Sequence, residues 1–452
     1  MSSDPRAAAA ARPQPTLSVF DAVAIIVGIV IGAGIFKAPS IVAGSVSSGQ
    51  VFIALWIAGG VISLVGALCY AELGSAYPSA GGEYYFLTRA FGGRVGFFFA
   101  WARMSVVQTG AMAAIAFVFG DYADRLYSLG AHSSVLYAVL AVIAVTALNI
   151  AGTRESKWLQ NALTLALACA MIAVIVAGLT YGGAVPAAQP AAQASSGPLF
   201  SQLALIFILL TYGGWNEAAY LTAEIHDARR NIVRALVSGI LIVTVLYVLL
   251  NLAYLNVLGL AGMKASKAVA ADLMLATLGD SGAIVLSLIV MAAALSTLNA
   301  TALTGARTNY AVGRDFSVFR VLGVWQEQSN APVNALLLQG AVALMLVLLA
   351  SFTPDGFETM VAYTAPAFWL FFMLTGVSLF VLRRQAPINE QPFRVPLYPA
   401  TPLLFCAMCA YMLYSSAGYA LSKDPSSLGA QLGIGVLLLG VPLSLFARKR
   451  VT

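Results

Sequence analysis

Runs of about 20 apolar residues recur from Val19 to Phe446, each long enough to cross a hydrocarbon core of about 30 Å as a helix. Nothing else in the chain constrains its fold as much. In lipid only helices and closed barrels satisfy every backbone N–H and C=O, and barrel strands alternate polar and apolar residues over about ten positions. These runs are continuously apolar and predict helices. Twelve are expected, at 19–44, 50–76, 95–120, 134–152, 157–180, 200–226, 232–258, 281–311, 333–352, 357–383, 397–421 and 428–447. Only 9% of the residues are charged, against about 25% in a soluble domain. No stretch between the runs is large enough for a separate soluble domain. Residues 1–16 hold Ala, Pro, Ser and Arg without an apolar core; they are expected to be a disordered cytoplasmic tail rather than a cleaved signal peptide. Residues 17–452 then form one all-α integral membrane domain.

The basic residues sort by side. One side carries Arg6, Arg12, Arg89, Arg94, Arg154, Lys157, Arg229, Arg230, Arg234, Arg307, Arg314, Arg320, Arg383, Arg384, Arg394, Arg448, Lys449 and Arg450; the other has only Arg125, Lys264, Lys267 and Lys423. Lys37 and Arg103 fall within spans. A wrong helix count would scramble this division. The positive-inside rule predicts both termini in the cytoplasm, and a multi-pass protein of the bacterial inner membrane. The net charge of +6 therefore reflects topology and the lipid bilayer as partner, with no nucleic acid implied.

Two helices are interrupted at matching points. Helix 1 reads Gly28-Ile29-Val30-Ile31-Gly32-Ala33-Gly34-Ile35-Phe36-Lys37-Ala38-Pro39, and helix 6 reads Leu210-Thr211-Tyr212-Gly213-Gly214-Trp215-Asn216-Glu217. Glycine inside a helix costs on the order of 1 kcal/mol relative to alanine, so clusters at mid-membrane mark sites of unwinding. Five spans separate the two breaks, and five is odd, so a second set of five helices enters the membrane from the opposite side. Residues 17–181 and 200–384 read as a 5+5 inverted repeat, followed by two C-terminal helices over 397–447. Matched breaks in inverted repeats point to a transporter with a midplane site. Either break alone reads equally well as close helix packing.

An unwound segment exposes N–H groups at the start of one half-helix, where the dipole favours an anion, and carbonyls at the end of the other. A ligand with a carboxylate and an ammonium on one carbon matches both. The amides of Gly32, Ala33 and Gly34 are the expected carboxylate site; the carbonyls of Val30, Ile31, Thr211 and Tyr212 are the expected ammonium site. Small residues there let a ligand approach the main chain.

These residues resemble the amino acid–polyamine–organocation superfamily, and within it the L-type amino acid transporter branch and its bacterial relatives. The resemblance runs from about Thr16 to Arg450. Gly32 to Phe36 is similar to the helix 1 motif and Tyr212 to Asn216 to the helix 6 motif. Tyr77-Pro78-Ser79-Ala80-Gly81-Gly82-Glu83-Tyr84 resembles the loop after helix 2, and Pro392-Phe393-Arg394-Val395-Pro396 the loop before helix 11. The resemblance implies the leucine-transporter-like fold, alternating access, and secondary transport of small or neutral L-amino acids by exchange or symport. Two departures stand out. Leu167 falls where many members carry a helix 5 lysine, which leaves coupling to Na⁺, to H⁺ or to neither open. Leu210 falls where relatives often carry an aromatic gate, leaving Tyr212, Gly213 and Trp215 to shape that wall. No Cys resembles the link that some eukaryotic relatives use to bind a partner chain, so no obligatory protein partner is expected.

Single ionisable residues inside a membrane are functional candidates. Glu217 reads either as a proton acceptor or as an anchor for helix 6. Lys37 and Arg103 read more simply as paired with carbonyls or reaching an interface. Glu72 and Glu83 read as gate partners of Arg89 or Arg94, or as solvated loop charges. Ser296, Thr297 and Asn299 of helix 8 are candidate oxygen ligands for a coupling cation, or packing residues. His132 and His226 lie at opposite faces, and Cys406 and Cys409 sit in an apolar run, so no metal site is expected. No phosphate-binding, zinc-protease or dinucleotide motif is present, so neither enzyme chemistry nor a cofactor is indicated. The alternative on the same fold is a transporter of another organic cation or a polyamine.

Overall fold

The computed structural model describes residues 18–79, 81–152, 157–182, 202–221, 225–326, 331–385 and 393–446, and within them only the main chain of 157–161, 202, 220, 221, 228, 229 and 446. The expected tail 1–16, together with Ala80, Arg154, Pro392 and 448–450, lies outside these residues. Among the described residues there is no strand; Gln326 and Ala331 form one isolated bridge.

Among the described residues ten helices are long and apolar enough to cross a membrane, and two interrupted ones bring the bundle to the twelve expected. We number them in chain order. Helix α1 comprises α1a (Val19–Val30), a 3₁₀ turn (Ala33–Phe36) and α1b (Ala38–Gly44). Then come α2 (Gly49–Ala76), a short connecting helix (Gly82–Phe91), α3 (Gly93–Leu126), α4 (Ser133–Ile150) and α5 (Lys157–Thr180). Helix α6 comprises α6a (Gln202–Thr211), a turn (Trp215–Glu217) and α6b (Ala218–Leu221). The remainder are α7 (Ala228–Ala265), α8 (Val269–Asp315), α9 (Val333–Ala350), α10 (Gly356–Gln385), α11 (Ala400–Ala420) and α12 (Ser427–Phe446).

Local chemistry sets these boundaries. Ser18 and Asp21 form a capping box at the start of α1a: Ser18 Oγ accepts from the Asp21 N–H at 3.2 Å, and Asp21 Oδ2 accepts from the Ser18 N–H at 2.9 Å. Pro39 sits in the first turn of α1b, where its missing N–H costs nothing. Two glycines on either side of the joint between α7 and α8 leave helical geometry. Gly259 (φ 64°) and Gly279 (φ 72°) each turn the chain sharply, so 260–278 folds back as a helical hairpin at the end opposite the arginine-rich one.

Small residues set the helix spacing. In α12, Gly429 and Gly433 lie against the Thr359 and Tyr363 carbonyls of α10, and Gly440 lies against the Trp101 ring of α3. A Cβ at any of the three would collide. Trp101 Nε1 closes the seam by donating to the Val436 carbonyl at 2.9 Å.

Candidate functional site

Both breaks form, and they meet. At the end of α1a the chain leaves helical geometry at Ile31 (ψ 65°) and Gly32 (ψ 179°). At the α6 break Gly214 takes φ +103°, a left-handed conformation that favours glycine. The Tyr247 hydroxyl of α7 donates to the Val30 carbonyl at 2.7 Å and lies 3.4 Å from the Thr211 carbonyl, so one side chain fastens both unwound segments. The Gly32 N–H is spent on the Val30 carbonyl at 2.7 Å. The first amides of the following turn, Ala33 and Gly34, have no acceptor within that turn.

A cavity of about 490 Å³ opens between the breaks. Of the expected site residues, Val30, Ile31, Gly32, Ala33, Gly34, Leu210, Thr211, Gly213, Glu217, Ser296, Thr297 and Leu167 line it. Three do not reach it. Tyr212 turns toward α2, where its hydroxyl donates to the Trp56 carbonyl at 3.0 Å. Trp215 packs edge-on against Tyr70, with centroids 5.1 Å apart, and over Gly66. Asn299 accepts from the Asn149 side chain of α4. The aromatic residues next to the breaks thus brace the turn from behind, because Gly59 and Gly66 of α2 make room for them there. Thr297 hydrogen-bonds back to the Ala293 carbonyl at 2.9 Å, the usual way a threonine is satisfied within a helix.

Several lining residues escaped the sequence reading. Arg103, Gln108, Thr301 and Thr304 face the same cavity. Arg103 opens a π-helical turn, Arg103–Val107, in α3; such turns concentrate at functional sites. The widened turn leaves the Ser105 carbonyl to accept from Thr109 Oγ1 and from the Tyr363 hydroxyl, both at 2.8 Å. It also aims the guanidinium at Glu217, with Nη2 3.1 Å and 3.3 Å from the two carboxylate oxygens. Arg103 therefore points inward to an acid, and Glu217 is anchored by a salt bridge. A side pocket of about 130 Å³ shares Arg103, Val107, Gln108, Gly214 and Glu217 with the main cavity and is otherwise walled by Phe99, Ala367, Phe368, Phe371, Phe372, Asn216 and Glu83.

The two ends of the path differ. Leu163, Thr164 and Leu167 of α5, and Thr301 and Thr304 of α8, place the cavity in the half of the bundle nearer the arginine-rich end. At the opposite end the Lys37 ammonium is buried between Asp121 Oδ2 at 2.8 Å and Asp355 Oδ2 at 3.0 Å. It is 2% exposed, so it does not reach an interface. The Tyr122 hydroxyl donates to the Phe36 carbonyl at 3.0 Å beside it, and Arg125 pairs with Asp272 of the hairpin at 3.2 Å. Lys37 Nζ also lies 3.4 Å from the Lys267 carbonyl of the hairpin, in line with the expected carbonyl pairing, so the start of α1b is tied to α3, the start of α10 and the hairpin. At the arginine-rich end, Glu72 accepts from Arg383 Nε at 2.8 Å and from the Val395 N–H at 2.6 Å. The loop before helix 11 is thus tied to the end of α2, with Arg383 where Arg89 or Arg94 was expected. Arg89 instead donates to the Tyr85 hydroxyl at 3.2 Å. Among the described residues no group of His, Cys, Asp and Glu could hold a metal ion.

Residues 17–436 match the family model for amino acid permeases. The chain is similar to the b(0,+)-type amino acid transporter 1 of Mus musculus, at 31% identity over 85% of this chain and 79% of that protein. It is similar to the large neutral amino acids transporter small subunit 2 of Mus musculus, at 30% identity over 94% of this chain and 79% of that one. The serine/threonine exchanger SteT of Bacillus subtilis (strain 168) is 26% identical over 95% and 96% of the two chains.

Proposed function

The chain belongs to the amino acid permease family, a family of transporters, and we propose that it carries small or neutral L-amino acids, by exchange or symport, through the cavity between its two broken helices. It is a multi-pass membrane protein. The observation that carries the site assignment is the convergence of both main-chain breaks on one cavity with Tyr247 between them. In this reading the substrate carboxylate takes the amides of Ala33 and Gly34. The ammonium takes the Ile31 carbonyl and the second lone pair of the Thr211 carbonyl, while the Val30 carbonyl, which accepts from both Tyr247 and the Gly32 N–H, is already filled. The Gly32 amide, already bonded, shapes the bend.

The side chain of the substrate extends toward α10, where Phe368 and Phe372 supply the aromatic surface. Glu217 is the carboxylate that lines the main cavity, and Arg103 already neutralises it. That pairing disfavours a polyamine or another organic cation, which would need carboxylates without such a partner. The basic-residue asymmetry supports a bacterial inner membrane location with both termini cytoplasmic, and then the cavity faces the cytoplasm while Lys37 closes the outside. The two halves, 17–181 and 200–384, act as the inverted repeats of an alternating-access cycle. The chain is proposed to work without an obligatory protein partner.

Counterflow tests the reading. Purified protein alone, in liposomes loaded with one unlabelled amino acid, should accumulate the labelled form of that amino acid from a panel of small and neutral L-amino acids. Uptake of putrescine or spermidine in place of every amino acid would reverse the assignment.

A further inference from the structure

The Arg103 guanidinium lies between two carboxyl groups. Its Nη2 is 3.1 Å from Glu217, and its Nη1 is 4.0 Å from Glu83 on the connecting helix. Glu83 is 3% exposed, and the Tyr70 hydroxyl of α2 donates to it. The groups that face it include Tyr70 from α2, Arg103 from α3, and Asn216 and Glu217 from the α6 turn. One positive charge serves two acids in a pocket walled by phenylalanines. If both acids were ionised, two carboxylates would share one guanidinium among aromatic rings, which is costly. A single proton removes it.

The two acids are not equivalent. Glu217 takes the short pair with Arg103 and is 37% exposed. Glu83 has the long contact and the dry setting. Burial pushes its carboxyl up to about 7, against the Tyr70 hydroxyl and the Arg103 charge, which pull it down, with the Glu217 charge adding to the rise.

We propose that Glu83 is the proton-binding residue of a proton-coupled transport cycle, connected to the substrate cavity through Arg103 and Glu217. This rests on the transport reading above. Arg103, Gln108, Gly214 and Glu217 line both the cavity and the side pocket, which gives a path for the proton. The carboxylate of Glu83 takes one proton from the compartment the cavity faces and becomes the neutral acid. Arg103 then belongs wholly to Glu217. When the cavity turns to the other compartment, the proton leaves to water and the carboxylate re-forms. One proton crosses with one amino acid, and nothing else is consumed. The coupling is physical, because Asn216 and Glu217 sit in the turn that shapes the substrate cavity. Any movement of that turn alters the charges facing Glu83, and hence its affinity for a proton.

The test uses purified protein in liposomes holding a trapped pH-sensitive dye, with the amino acid that moves fastest in counterflow at equal pH. An inward proton gradient without internal amino acid should drive uptake by the wild type, and the dye should report about one proton entering per amino acid. In Glu83→Gln the ratio of protons to amino acid should fall to zero at whatever rate remains. Tyr70→Phe removes a donor to the ionised form, so the pH midpoint of proton-driven uptake should move to higher pH. A wild type that exchanges amino acid but moves no proton overturns the proposal. So does a Glu83→Gln protein with the wild-type ratio. If Glu83→Gln does not reach the membrane folded, an unshifted midpoint in Tyr70→Phe overturns it. Absence of counterflow with any amino acid would instead overturn the transport reading, and this inference with it.

Discussion

The hydroxyl of Tyr247 donates to the carbonyl of Val30 at 2.7 Å, at the residue where α1a stops being a helix. It lies 3.4 Å from the Thr211 carbonyl at the end of α6a as well. Neither contact is local in sequence, and together they fix the spacing of the two unwound segments.

Tyr247→Phe removes this tie and leaves the ring packed against Trp56 and Tyr212. A lost hydrogen bond of this kind is worth on the order of 1 kcal/mol. Counterflow should slow about fivefold while the helix content seen by circular dichroism stays the same. Wild-type rates would mean that the breaks hold their geometry without the hydroxyl.

Gly34 and Gly213 should respond differently to a side chain. A Cβ on Gly34 meets nothing within 4 Å, so Gly34→Leu should fold, insert and melt as the wild type does, while its side chain occupies the cavity. Uptake should fall about tenfold or more, an effect of about 1.4 kcal/mol or greater. A Cβ on Gly213 would lie 2.8 Å from the Leu210 carbonyl oxygen. Gly213→Ala should therefore lower stability, by about 1–3 kcal/mol for an overpacked position, as well as transport. Thermal melting alongside counterflow separates the two cases.

Lys37 holds two carboxylates at the end opposite the arginine-rich one. Lys37→Met leaves Asp121 and Asp355 without their cation, and removing one partner of a buried pair costs about 3–5 kcal/mol. A large fall in melting temperature is expected. Adding Asp121→Asn should recover part of it, because one of the stranded charges is gone. Strict additivity of the two losses would show that the three groups do not act as a unit.

The charge of Glu217 raises the proton affinity of Glu83, and Arg103 lowers it. Glu217→Gln removes the first effect and frees the guanidinium for Glu83, so both changes act in the same direction. The pH midpoint of uptake, expected near 7 in the wild type, should move to lower pH and not vanish. A profile that becomes flat would transfer the titrating role to Glu217 itself.

How much of this was legible in the sequence depends on the length scale of each feature. Span count and breaks are written locally, as continuous apolar runs and as Gly32-Ala33-Gly34 and Gly213-Gly214, and both were found. The cavity follows from the breaks, since Val30 to Gly34, Leu210, Thr211 and Gly213 all line it. Partners across the bundle do not, because they depend on which face of a helix looks inward. Tyr212 and Trp215 lie beside the α6 break in sequence yet point to α2, where Gly59 and Gly66 leave space. Arg103 was visible as a charge in a span, but its direction depends on a π-helical turn that no residue in Arg103–Val107 announces. Tyr247 sits in an apolar run with nothing to distinguish it from Tyr254. Lys37, Asp121 and Asp355 are scattered over three segments, and only the packed bundle brings them together.

The seam between α12 and its neighbours bears on how the chain is made. Three glycines let the last helix settle directly on the backbone of α10 and the ring of Trp101. A chain that stopped after α11 would keep the cavity between α1 and α6 but leave the α10 backbone at Thr359 and Tyr363, and the Trp101 ring, without the helix that packs on them.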